Sequence, residues 1–103
     1  MPNLPTLTPE QRAEVLEKAA AVRRERSAAL TEVKKGALSA ATVLDGDEPR
    51  LQRAKVRQVL LAVPGIGAVR ADRMLQAAGV AEGRRVGGLG ANQRDRLKEL
   101  LAV

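Results

Sequence analysis

From Pro9 to about Lys35 the chain runs without a helix breaker, and Ala13, Leu16, Ala20, Leu30 and Val33 recur along it, with Ala19 and Ala29 beside them. Alanine covers little apolar area, so the pattern predicts one long helix that packs by only part of its length. Thr8-Pro9-Glu10-Gln11 supplies its start: a Thr cap, a proline at the first helical position, an acidic residue near the positive helix end, and a Gln placed to bond back. Gly36 supplies its stop. Leu38, Ala41 and Leu44 make a shorter helical pattern introduced by Ser39, and Gly46-Asp47-Glu48-Pro49 then breaks the chain.

A third pattern runs from Arg50 through Val56, Val59, Leu60 and Val63. Pro64-Gly65-Ile66-Gly67 turns the chain sharply, and Ala71, Met74 and Leu75 open a fourth stripe that ends at Gly79. Val80 is expected to tuck into the core. A glycine-rich loop over 81–90 leads to a last helix from about Ala91 that buries Leu97, Leu100 and Leu101. Nothing alternates like a strand, and the only internal echo is Gly-x-Gly before a helix. The pattern therefore predicts an all-α chain: an arm and long helix over 1–36, and a compact head of about four helices over 37–103, with the acidic stretch after Gly36 as connector.

Composition narrows the chemistry. The 103 residues suffice for one small domain. Cysteine and histidine are absent, which removes disulfides, thiolate and imidazole catalysis, and nearly all transition-metal ligation; no metal and no cofactor is expected. Aromatic residues are absent too, so no base can stack on Phe, Tyr or Trp as single-strand binding modules require. No run approaches the roughly 18 apolar residues of a membrane span, and no signal-like segment opens the chain. An intracellular, soluble protein with no membrane and no small-molecule partner is the expectation.

The net charge of +6 points to a polyanion, and its distribution says where one would bind. Residues 1–36 carry seven basic and five acidic side chains; residues 37–49 carry only Asp45, Asp47 and Glu48; residues 50–103 carry eleven basic and four acidic. Within the last segment, the amides of Gly67, Ala68 and Val69 open a helix, so they lack intrahelical partners and sit at the positive end of its dipole. Gly65 and Gly67 would let a phosphate approach them, with Arg70 and Arg73 in reach. Arg84 and Arg85 occupy the second glycine loop, which leads into another helix start bearing Asn92, Gln93 and Arg94. Arg53 and Lys55, with Arg57, lie ahead of the hairpin. Two helix starts and two arginine clusters describe a clamp on two phosphate runs. The plainer alternative is a tight helical connection followed by a solvated loop. On the long helix, Arg12, Arg23, Arg24, Arg26, Lys34 and Lys35 form either a solvated face, with pairs such as Glu14 and Lys18, or a second surface for DNA. A base-excising enzyme of the hairpin type would need a catalytic Asp or Lys over a deep pocket. Asp72 reads instead as a surface charge beside Arg73, and no enzymatic activity is expected.

The residues also resemble a family. Leu4-Pro5, Leu7-Thr8, Glu10 to Ala13, Leu16 to Ala21, Arg23-Arg24 and Arg26 look like the N-terminal helix of the actinobacterial integration host factor. Lys55-Val56, Leu60-Leu61, Pro64, Val69 to Ala71, Arg84 to Val86 and Gly88 to Gly90 resemble its helix-two-turn-helix head. The likeness implies an all-α, nucleoid-associated protein that binds duplex DNA with little sequence preference, bends or condenses it, and assists a phage integrase complex; a monomer is the expectation. It implies basic contacts at Lys55, Arg70, Arg84 and Arg85, with Arg53 standing for a lysine. Ala68, Gly87 and Leu30 stand where the family usually carries a basic residue, so fewer phosphate contacts are expected. The head also resembles a small-subunit ribosomal protein, which keeps RNA binding open as an alternative. A helical adaptor that docks on a protein is a third reading.

Overall fold

A computed structural model describes residues 6–102. Among them are five α-helices and two short 3-10 turns, with no strand beyond one isolated bridge. The first helix, α1 (Pro9–Lys34), begins where the cap chemistry requires. The Gln11 amide donates to Thr8 Oγ1 at 3.1 Å, and the Thr8 amide donates back to Gln11 Oε1 at 3.0 Å. It ends ahead of Gly36, whose φ of +79° no β-carbon would favour. Only Ala29 and Val33 of this helix are buried, so α1 packs through its C-terminal third and leaves Val15, Leu16 and Val22 in solvent. The expected Glu14–Lys18 pair does not form; among the described residues, Glu32 is the one α1 carboxylate in an ion pair.

The second helix, α2 (Ala40–Leu44), buries Val43 and Leu44. Ser39 occupies its cap position without a side-chain bond. The acidic connector is more than a spacer. Glu48 accepts from the Arg50 amide at 3.1 Å and caps a 3-10 turn over Pro49–Leu51, while Asp45 accepts from Lys98 Nζ at 2.8 Å.

The helix that the apolar pattern predicts from Arg50 does not start there. After the 3-10 turn the chain extends, and α3 (Val56–Ala62) starts only at Val56. The Val56 amide donates to Arg84 O, the Val86 amide to Ala54 O and the Gly87 amide to Gln52 O, each at 2.9 Å. These long-range bonds satisfy backbone groups that one isolated helical turn, costly to nucleate, would otherwise have to pair.

Val63 precedes a proline and is extended (φ −70°, ψ 127°), which stops α3. Pro64 and Gly65 (φ +86°) then form a type II turn closed by the Ile66 amide on Val63 O at 3.2 Å. The fourth helix, α4 (Ala68–Ala78), ends on left-handed Gly79, and the Val80 amide donates to Leu75 O at 2.8 Å. Val80 is buried, as its place after the cap suggests. A 3-10 turn over Val86–Gly88 leads to α5 (Ala91–Leu101), which buries Leu97 fully and Leu100 and Leu101 in part.

The core is wholly aliphatic apart from Met74, built on Leu44, Leu51, Val56, Val59, Leu60, Val86 and Leu97, and it encloses no polar or charged residue among those described. Against it α3 packs on α1 and α4, and α5 on α2 and α4. The free end of α1 makes the molecule long: its radius of gyration is 16.5 Å, against about 13 Å for a compact chain of this length.

Candidate nucleic-acid interface

The segment 52–56 and the loop 84–87 pair antiparallel, so Lys55 and Arg85 lie directly opposite one another. The pairing explains how residues 30 positions apart become one basic group. Arg53 joins because the Arg85 guanidinium donates to its carbonyl oxygen. Arg84 Nη1 donates to Gly88 O at 3.0 Å, which folds that side chain back along the 3-10 turn. Arg53, Lys55, Arg84 and Arg85 are all exposed, and among the described residues none is in an ion pair.

Other cations of the head are already engaged. Arg50 bridges Glu32 (2.5 Å) and Glu48 (2.7 Å), and the two carboxylates raise its affinity for its proton. Arg57 donates to Asp72 Oδ1 at 2.9 Å, which raises its pKa, with Glu82 farther off at 3.9 Å. Lys98 is raised by its bond to Asp45. Neutralising these leaves the bridge as the denser concentration of unpaired positive charge.

The hairpin lies at the other end of α3. Seven residues of helix separate the two, about 10 Å, or the rise of some three base pairs. The amides of Gly67, Ala68 and Val69 precede the first helical bond of α4, from the Ala71 amide to Gly67 O at 2.9 Å. Gly67 itself has ordinary extended geometry (φ −91°, ψ −179°), and a β-carbon there would meet open space. Gly65 alone needs glycine for its backbone. Val69 is 67 % exposed in the first turn, and Arg70 and Arg73 flank a shallow apolar groove with Met74, Ala77 and Leu100.

At the start of α5, Asn92 is exposed, but Gln93 is engaged at both ends of its amide. It accepts from the Gly90 amide at 3.0 Å and donates to Gly79 O at 2.8 Å, splicing α5 to the end of α4. Arg94 is half-buried, with its Nε enclosed and unbonded. Gly87 has no room to spare: a β-carbon would lie 3.1 Å from Gln52 Oε1 and 3.2 Å from Gln52 O.

Arg12, Arg23, Arg24 and Lys34 of α1 are exposed, as is Lys35 at its C-cap. Arg26 differs. It is half-buried and lines a cleft of about 550 Å³ together with Lys55 and Arg85, so the structure brings one residue of the long helix to the head's basic group. The sequence carried a signal for this: Arg26 lies three positions before Ala29 and seven before Val33, on the face that seats α1 on the head.

Residues 33–101 match the family model of the S13-like helix-two-turn-helix (H2TH) domain. The integration host factor of Streptomyces coelicolor is 45% identical over 92 residues, covering 87% of this chain and 86% of that protein. That of Mycobacterium tuberculosis is 42% identical over 99 residues, 93% of each chain. A solved structure of sIHF bound to an 8-base-pair palindromic DNA has a TM-score of 0.74 and 38% identity, covering 81% of this chain and 96% of that one. The sequence identity extends over most of the chain and the fold is shared with the solved structure, and the chain belongs to the actinobacterial integration host factor family.

Proposed function

We propose that this protein binds duplex DNA through its phosphates, with little sequence preference, and bends or condenses it as a non-enzymatic architectural protein of the nucleoid. The observation that carries the reading is the antiparallel pairing that gathers Arg53, Lys55 and Arg85 into one exposed basic group, with exposed Arg84 next to it in the loop and none of the four in an ion pair among the described residues. Guanidinium and ammonium groups displayed this way release counterions from a phosphate backbone but read no base pattern. The chain lacks aromatic residues, so single-strand stacking offers no competing route. The DNA-bound relative, at 38% identity, supports duplex DNA as the partner.

In this reading the head is residues 37–103, and residues 1–36 form the arm and long helix. The hairpin at Gly65 to Val69, with Arg70 and Arg73, takes a second phosphate about three base pairs from the bridge. Asn92, Gln93 and Arg94 border the surface, and the cations of α1 provide a further one. The protein acts as a monomer in the cytoplasm, and the names of its relatives support a role in phage integrase complexes. Asp72 is held by Arg57, consistent with a structural rather than a catalytic carboxylate.

Replacing Arg84 and Arg85 with alanine tests the reading. Affinity for unrelated duplexes should fall by similar factors, and the slope of log affinity on log salt should flatten by about 1.8, two contacts at roughly 0.9 each. Mobility shifts at several salt concentrations measure both, and unchanged affinity would sink the proposal. The S13-like character of the matched family supports structured RNA as the second reading. Competition between duplex DNA and folded RNA at fixed salt decides between them, since an A-form groove presents 2′-hydroxyls and a different shape.

A further inference from the structure

We propose that the cleft between α1 and the Lys55–Arg85 bridge is a phosphate seat completed by Arg26, so that one bound phosphate ties the long helix to the head. This deepens the DNA-binding reading and rests on it for the duplex as the source of that phosphate.

The cleft holds about 550 Å³ and is bordered by Arg26, Lys55, Arg57, Gln58, Glu82 and Arg85, with Gly83 between the last two. Arg57 is occupied by Asp72, which leaves Arg26, Lys55 and Arg85 as three cations in no ion pair. Against them stands one carboxylate, Glu82, which is 80% exposed and 3.9 Å from Arg57. The charge excess inside the cleft is therefore positive and favours an anion.

Arg26 is what the long helix adds to this cleft: it is half-buried, borders the cleft, and its Nε, like that of Arg94, has no hydrogen-bond partner. The residue follows Val22 by four positions and precedes Ala29 by three, within the row that ends in buried Ala29 and Val33. At that position an aliphatic side chain would extend the packing of α1 on the head. The chain carries a guanidinium there instead, and the same residue also borders a neighbouring groove with Val22, Glu25, Arg50, Gln52 and Arg53, where Glu25 is the one carboxylate. Arg26 thus stands between the two walls of the basic group. A phosphate, with several acceptor oxygens and a full charge, matches a guanidinium and an ammonium converging from two elements. A phosphodiester of DNA and a free oligophosphate share that chemistry.

The full-length chain tests the seat in two arms. In the first, 15N-labelled protein is titrated with sodium tripolyphosphate at constant ionic strength, and the Arg26 Nε–Hε resonance is followed; it should shift in a saturable way. In the second, duplex affinity is measured across a salt series for wild type, Arg26→Gln, Arg26→Lys, Arg85→Gln and the double variant Arg26→Gln with Arg85→Gln. Arg26→Gln should weaken binding about three- to tenfold and flatten the salt slope by about 0.9. Arg26→Lys should retain part of both. The double variant should lose less than the product of the single losses, because the two cations share one phosphate. Glu82→Gln, which removes the one negative rim charge, should tighten binding. Wild-type affinity and slope in Arg26→Gln, or single losses that multiply independently, would overturn the seat. Should Arg26→Gln fail to fold, Arg26→Lys and the wild-type titration decide. If the wild type binds no duplex, the DNA reading falls by itself, and an Arg26 resonance unmoved by tripolyphosphate would then dispose of the seat as well.

Discussion

Gly65 and Gly67 stand two residues apart in one turn and answer different demands. Gly65 sits at φ +86°, where a β-carbon strains the backbone, so Gly65→Ala should cost about 1–2 kcal/mol in urea unfolding. Gly67 has a φ open to any residue and nothing within 4 Å of a built β-carbon. Gly67 is the N-cap of α4, where glycine is favoured over alanine, so Gly67→Ala should cost no more than about 1 kcal/mol. If a phosphate approaches the amides of α4, the added methyl stands in its way, and duplex affinity should drop several-fold with the fold intact. Equal duplex affinity for Gly67→Ala and wild type would remove the hairpin amides from the interface and leave the binding to side chains.

Elements whose signals lie within a few residues were legible before the structure. The Thr8–Gln11 box and the Gly79 cap both form as read, because each is closed by groups no more than five positions apart. The start of α3 was not legible, because the bonds that hold the chain out of a helix ahead of Val56 pair Ala54 and Val56 with Val86 and Arg84, some 30 residues on. The same distance hid part of the candidate site. Its cations could be named from sequence, but that Asp72 would claim Arg57, or that Arg26 would lie beside Lys55 and Arg85, depends on how helices cross. The connector does more than its composition suggests for a related reason: Glu48 both caps the 3-10 turn and bonds Arg50. That bond, before any other cause, holds the Glu48 carboxyl below its usual 4.5. A depressed folded pKa gives stability that is present above the unfolded value and lost as pH falls through the folded one. Unfolding free energy should thus decline below about pH 4.5, and Glu48→Gln should lessen that decline while costing about 1 kcal/mol at pH 7 through the weakened cap. Parallel urea titrations at pH 7 and pH 3 measure it; an identical acid loss in both proteins would place the acid sensitivity elsewhere.

At the scale of the whole molecule, the long axis of 53 Å is set by α1, which extends well past the part of it that is packed. Every residue from 6 to 18 is exposed, and the first fully covered side chain of the helix is Ala29. A chain lacking residues 1–17 should therefore unfold with a free energy within about 0.5 kcal/mol of the full chain and with an almost unchanged denaturant slope, since that slope follows the area exposed on unfolding. Its net charge would rise from +6 to +8, because the segment holds one cation, Arg12, and three carboxylates, Glu10, Glu14 and Glu17. Charge alone would then tighten DNA binding. Fourteen residues separate Arg12 from Arg26, about 21 Å of helix or some six base pairs. A short duplex seated on the head would not span that distance, whereas a long one would. The truncated chain should bind the short duplex at least as tightly as the full chain, with an equal salt slope. On a long duplex its slope should be shallower by about 0.9, the one contact Arg12 supplies. If the slope is the same on both lengths, the free half of α1 does not lie on the DNA. If stability falls with truncation, the exposed half of α1 supports the head by contacts other than burial.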